Sequence, residues 1–190
     1  MVSYTLPFIF TVNTHMDTQT LDPQIIDNSA EESANLSPGP TIFYKEVDFL
    51  TFLEELQPLL PAHYEELCVT KDYPMDPNYE AYARMAKAGI LKCITCRADE
   101  KLVGYIVFVI QPHLHYKSCK TAFEDIYYIT PEYRKGRIGI KLFQYAEHVL
   151  KNSGVNRIIL HTKVHLDNSR LFEYLGYNHT DRLYTKLLRD

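Results

Sequence analysis

The stretch from Tyr127 to Lys141, YYITPEYRKGRIGIK, constrains this chain more than any other. A β-rich run stops at Pro131, a short segment carries Arg134, Lys135, Gly136, Arg137 and Gly139, and an amphipathic helical pattern begins at once. Proline cannot donate to a sheet ladder, and glycine takes up turn conformations that a Cβ forbids, so the stretch reads as strand, turn and helix. The helix N-terminus offers unpaired N–H groups and the positive end of the helix dipole. With Arg134, Lys135 and Arg137 around it, the turn is expected to bind an anion, most simply a pyrophosphate. The spacing matches neither G-x-x-x-x-G-K-[ST] nor G-x-G-x-x-G, which sets aside a Walker loop and a dinucleotide fold. A solvated basic turn is the plain alternative for the same residues.

The rest of the body supplies the elements that such a unit joins. Thr41 to Val47 reads as a short strand, and Phe49, Phe52, Leu53, Leu56 and Leu60 recur at helical spacing behind Asp48, which is placed to cap them. Pro58 and Pro61 interrupt that pattern, and His63 to Leu67 reads as another helical turn. A further helix is expected from Asp76 as N-cap and Pro77 as first helical residue, closing at Gly89. Ile90–Arg97 and Leu102–Gln111 read as strands joined by a hairpin turn at Ala98 to Lys101, and Phe123–Thr130 as a third strand. Gly139–Leu150 reads as helix, Arg157–His161 as strand, a short helix follows Asp167, and Tyr177–Leu188 is expected to return as strand. An antiparallel first half and a β-α-β second half make the class α+β (α/β), built on one mixed, mostly antiparallel sheet flanked by helices.

Charge divides the 190 residues in two. Residues 1–44 hold no Lys or Arg and five carboxylates, so the formal charge of −4 belongs to the N-terminal part and the body from Lys45 is nearly neutral. The expected organisation is an acidic extension over residues 1–40 and a folded domain over 41–190. Tyr4 to Val12 is the one β-rich run in the extension, and Pro7 would confine it to a sheet edge. Bulk charge argues against a nucleic-acid binder, which relies on Lys and Arg at phosphates. No apolar run approaches the roughly 20 residues that cross a bilayer, and no cationic segment precedes an apolar one at the N-terminus, so a cytoplasmic protein is expected. Cys93 and Cys96 form a CxxC, but residues three apart on a strand face opposite ways, and buried thiols rather than a metal site are expected.

The Tyr127–Lys141 run resembles the acetyl-CoA motif [QR]-x-x-G-x-[GA] of the GNAT superfamily of N-acetyltransferases. Arg134 takes its first position and Gly139 its last, while Arg137 stands where the middle glycine is usual and Gly136 lies one residue upstream. The closing Leu171–Tyr177, LFEYLGY, also looks like the family's last helix, and the resemblance covers about Thr41 to Leu188. The texture is similar as well to acetyltransferase-like proteins of tailed bacteriophages, which would place the chain in a host cytoplasm. Family membership implies a GNAT-like fold and acetyl transfer from acetyl-CoA to an amine by direct attack, the acceptor being a small amine or a protein lysine or N-terminus. It implies cofactor contacts at Arg134, Lys135, Gly136, Arg137, Ile138 and Gly139 for the pyrophosphate, and at Tyr127, Tyr128 and Ile129 for the thioester, with Asn168 nearby.

The acceptor ammonium must lose a proton before attack, because at a pKa of about 10.4 it has no lone pair at neutral pH. Asp125 is the preferred carboxylate, since alternation puts it on one face with Tyr127 and Ile129; Glu124 would face the other way unless a bulge intervenes. An aspartate with an ordinary pKa near ~3.9 is a weak base for an ammonium, so burial, a water relay or an amine-orienting role is implied. Structural ion pairing is the bland role for either carboxylate. His115, in the loop expected after residue 111, is a further candidate for proton relay or acceptor contact. The family's usual tyrosine acid matches Phe172, with Tyr174 about 200° further around the helix, and its usual Asn matches His165. That loss sustains a second reading, a catalytically weak GNAT-fold interaction protein whose acidic residues 1–40 engage a protein partner. Self-association is left open.

Overall fold

The computed structural model describes residues 39–68 and 74–188. The expected N-terminal extension up to residue 38, with its Tyr4–Val12 run, lies outside the described residues.

Five strands form one sheet in the order β1 (Ile42–Val47), β2 (Leu91–Ala98), β3 (Lys101–His113), β4 (Tyr116–Ile129) and β5 (Arg157–Ile159). The first three pairings are antiparallel and β4–β5 is parallel. The helices are α1 (Phe49–Leu56), α2 (Leu60–Leu67), α3 (Tyr79–Lys87), α4 (Ile138–Asn152) and α5 (Ser169–Tyr174). A single 3-10 turn, Pro131–Tyr133, joins β4 to the basic segment.

Two apolar clusters sit on opposite faces of the sheet. Ile106, Phe108, Ile110 and Ala122 pack against Leu142, Phe143, Ala146 and Leu150 of α4 and Phe172 of α5. Tyr105, Val107, Leu91 and Tyr128 pack against Phe49, Phe52 and Leu56 of α1, with Tyr82 and Ala83 of α3 at the margin. Coverage on both faces explains why β2 and β3 are buried almost throughout instead of alternating. Each fully buried Leu, Ile or Phe contributes roughly 1.5–3 kcal/mol. Cys93 belongs to the α1 cluster and Cys96 to the α4 cluster, so the two thiols lie on opposite sides of the sheet.

Local signals place most of the elements. Asp48 accepts from the Leu50 N–H at 2.9 Å and caps α1. The β2–β3 hairpin turns through Asp99, whose backbone holds a positive φ of 51° and whose carboxylate accepts from the Thr41 N–H. Three expectations are corrected. Asn78, not Asp76, caps α3, accepting from the Ala81 N–H at 3.0 Å; Pro77 therefore lies before the helix and not within it. The strand expected at Phe123–Thr130 is the second half of a longer strand, β4, that begins at Tyr116. Residues 177–188 form no strand, and Leu183, Tyr184 and Leu188 are exposed. β-branched and aromatic composition favours a strand when a partner edge exists, and β5 presents a ladder of three residues. No helix among the described residues is long and apolar enough to cross a membrane.

Candidate active site

Two features of β4 open a cleft. Pairing with β5 ends at Phe123↔Ile159, so β4 runs on to Ile129 with no ladder partner on its β5 side among the described residues, while β3 still pairs its other edge. Within β4 the register slips: Val107 pairs with Ile126 and Phe108 with Glu124, leaving Asp125 as the extra residue of a β-bulge. The cleft beside this unpaired stretch has a volume of about 720 Å³. Its walls come from Glu124–Ile129, the turn at Arg134, Gly136 and Gly139, residues of the segment His161–Asn168, and Glu66–Cys68 at the end of α2.

The bulge reverses the expected facing of the two carboxylates. Glu124 pairs with Phe108 and lies two residues from Ala122, both members of the α4 cluster, and is thus on the face that carries Tyr127 and Ile129. Asp125 points the other way, toward α3, where the Tyr82 hydroxyl donates to its Oδ2 at 2.6 Å. Strict alternation fails because one inserted residue shifts everything before it by one face. Both carboxylates nevertheless line the cleft.

Glu124 is buried, its side chain 1% exposed, and its Oε2 lies 2.8 Å from His161 Nδ1 and 3.4 Å from the His161 backbone N. The hydrogen bond to Glu124 raises the His161 pKa above its ordinary value against the opposing effect of burial. His161 stands two residues beyond the last β5 pair, and its imidazole remains 40% exposed at the cleft wall. Sequence reasoning placed His161 at the end of a strand and gave it no role. The available signal was its position at the C-terminal end of a strand parallel to the one carrying Glu124.

The basic turn between β4 and α4 has a glycine-dependent backbone, and its side chains divide between solvent and protein partners. Gly136 holds φ 66°, the left-handed conformation that a Cβ disfavours. Arg137 occupies the N-cap position of α4 without a side-chain cap, and the first turn holds no acidic residue, so the α4 amides keep their capacity to meet an anion. A Cβ at Gly139 would stand 3.4 Å from Ile129 Cδ1, which places this glycine against the end of β4. Lys135, Gly136 and Arg137 are exposed and Ile138 is half-buried. Arg134 is committed elsewhere: its Nε donates to the Ile129 carbonyl at 2.8 Å, its guanidinium pairs with Glu66 at 2.5 Å and lies over the Tyr128 ring. It ties the turn to β4 and α2.

Asn168 lines the cleft and donates to the Tyr127 hydroxyl at 2.8 Å; its own N–H donates to Thr162 Oγ1 at 2.8 Å. Asp167 accepts from the Ser169 N–H at 2.9 Å, holding the start of α5. Phe172 is buried in an aromatic group with Tyr127, Phe143 and Tyr177, while Tyr174 is 64% exposed. His165 lines the cleft and its ring reaches the Glu66 carbonyl at 3.2 Å. His115 is not brought to the site. It sits at the tip of the β3–β4 hairpin, ten residues before Asp125 and thus roughly 30 Å along the strand. The loop expected to carry it inward is continuous ladder instead.

Solved structures share this architecture. A transcriptional regulator from Bacillus halodurans C-125 aligns with a TM-score of 0.64 at 19% identity, covering 78% of this chain and 100% of that one. Aminoglycoside N-acetyltransferase AAC(6')-Iy in complex with CoA gives 0.61 at 18% identity, covering 82% and 100%. Ribosomal-protein-alanine N-acetyltransferase from Brucella melitensis biovar Abortus 2308 gives 0.56 at 14% identity, covering 79% and 99%. At these identities the likeness is one of fold. No curated protein sequence matches the chain. Residues 52–177, more than half of the chain, match the Acetyltransferase (GNAT) family, and this span holds the bulged strand, the Gly136 turn and α5. The chain belongs to the acetyltransferase (GNAT) family.

Proposed function

We propose that the protein transfers the acetyl group of acetyl-CoA to an amine acceptor by direct attack within one ternary complex. The observation that carries this reading is the meeting, at one cleft, of an uncapped α4 N-terminus with the unpaired edge of β4. The α4 amides and the exposed Lys135 and Arg137 suit a pyrophosphate. The unpaired backbone from Tyr127 to Ile129 suits a thioester arm, and an N–H aimed at its carbonyl stabilises the oxyanion that forms there. The deprotonated acceptor nitrogen attacks the carbonyl carbon, the C–S bond breaks, and the thiolate leaves with the electron pair and takes up a proton as the new amide nitrogen loses one. Asp125, fixed by Tyr82, attracts and orients the acceptor ammonium.

Calorimetry with acetyl-CoA and with CoA tests the first step, and micromolar binding is expected. Absence of binding at that level removes the reading. Thiol release across small amines, polyamines and lysine peptides then identifies the acceptor class. Asp125→Asn is expected to raise the acceptor KM several-fold with acetyl-CoA affinity unchanged; an unchanged KM takes Asp125 out of the site.

A further inference from the structure

We infer that His161, held by Glu124, is the group that moves the proton during acetyl transfer; this rests on the reading just given. Glu124 is almost fully buried, and among the described residues His161 supplies its hydrogen-bonding contacts: the ring Nδ1 at 2.8 Å and the backbone N at 3.4 Å. A carboxylate on Nδ1 selects the tautomer with its proton there and leaves the Nε2 lone pair as the basic position. The ring is half-exposed on the cleft wall, beside the point where β4 and β5 part. This is the arrangement of a base oriented by a third group. Phe172 makes it necessary for some group other than an α5 tyrosine to handle protons, since its ring has no hydroxyl and packs into the α4 cluster.

Nε2 of neutral His161 accepts a proton from the acceptor ammonium, and the free amine attacks the acetyl carbonyl carbon. The C–S bond breaks, the imidazolium returns its proton to the departing thiolate, and the proton left on the new amide nitrogen passes to solvent, so His161 ends the cycle neutral and one proton is released overall. The charged groups facing the ring are Glu124 and Asp125 from β4 and Lys163 from its own segment. The carboxylates raise its proton affinity and Lys163 lowers it. Glu124 acts through His161 and is a positioning residue.

The test uses the full chain and three readouts: acetyl-CoA affinity by calorimetry, thiol release with polylysine and with water as acceptor, and the side-chain nitrogen resonances of His161. His161→Gln is expected to lower thiol release by about 100-fold or more with acetyl-CoA affinity within about 2-fold. Glu124→Gln keeps the shape and removes the charge. It is expected to move the acidic limb of the rate profile and the His161 titration to lower pH together, and to reduce the plateau rate. The wild-type ring is expected to be neutral with its proton on Nδ1 above its pKa. If acetyl-CoA fails to bind the wild type, the reading of function falls and the inference with it. If acetyl-CoA binds, the inference alone is overturned by any of three results: no thiol release from the wild type, an unchanged rate in His161→Gln, or a pH profile that Glu124→Gln leaves in place.

Discussion

Gly139→Ala separates what the fold needs from what the ligand needs, because the two effects have opposite signs. Gly139 is the second residue of α4, and glycine there costs the folded state backbone entropy that alanine would not. The added Cβ meets Ile129 Cδ1 at 3.4 Å, an ordinary contact with the end of a flexible side chain. The substitution should therefore stabilise the protein by about 0.5 kcal/mol, the lower part of the range for a tolerated glycine-to-alanine change. At the cleft, which Gly139 lines, the same methyl group would stand among the α4 amides that the proposed function assigns to the pyrophosphate. Loss of one charge-assisted hydrogen bond is worth roughly 1.5–3 kcal/mol, or about 10- to 100-fold in acetyl-CoA affinity.

Gly136→Ala provides the contrast. Nothing lies within 4 Å of its Cβ position, but φ is 66°, so alanine pays a left-handed penalty of about 1–2 kcal/mol with no steric contact. Urea denaturation and calorimetry on both variants form the assay. A Gly139→Ala protein that is more stable and binds acetyl-CoA as well as wild type refutes close approach of the cofactor at this residue. A Gly139→Ala protein that is destabilised refutes the packing argument, and a stable Gly136→Ala protein refutes the backbone one.

Gly104→Ala places a Cβ 2.9 Å from Ile129 Cγ1 and 3.0 Å from the Tyr128 carbonyl oxygen, so β3 and β4 must separate where the thioester arm is expected; a loss of about 1–3 kcal/mol is predicted by denaturation, and a change below 0.5 kcal/mol counts against so close an approach. His63 is buried against Tyr105 and Tyr128, and burial pushes its pKa down to about 4. The unfolded chain protonates first, so the stability from neutral His63 is intact above pH ~6.5 and falls by about 1.4 kcal/mol per unit, about 3 kcal/mol in all, as pH drops to about 4. Urea midpoints between pH 7 and 4.5 should fall more steeply for wild type than for His63→Gln; parallel curves refute the assignment.

The elements that sequence periodicity placed are those whose own residues decide them. Asp48 caps α1 by local hydrogen bonding, and Leu142, Phe143, Ala146, Val149 and Leu150 mark one buried face of α4 wherever its partner lies. Elements decided by a remote partner were not legible. The backbone of Tyr177–Leu188 has strand composition, but a strand also needs an edge, and β5 supplies three residues of one. His115 reads as a loop residue because Pro112 and two histidines break the pattern, yet the β3 ladder continues through Pro112 to a tight turn. Arg134 reads as a phosphate ligand from its neighbours in sequence, but Glu66, 68 residues away, takes its guanidinium.

The bulge at Asp125 is the most consequential of these unseen features, since it turns the two carboxylates to opposite faces of β4. Without it, alternation would set Asp125 beside Tyr127 and turn Glu124 toward α1 and α3. With it, Glu124 is turned to the face of β4 from which it reaches the segment after β5, and Asp125 turns to Tyr82. Parallel pairing also stops at Ile159, and a continued ladder would fill the space that the proposed function gives to the acetyl group. One inserted residue and one interrupted ladder thus place a buried glutamate, a half-exposed histidine and an unpaired strand edge at the same point. In the proposed mechanism, Phe172 in place of the family's tyrosine leaves proton transfer to that point, where a histidine held by a carboxylate faces the cleft.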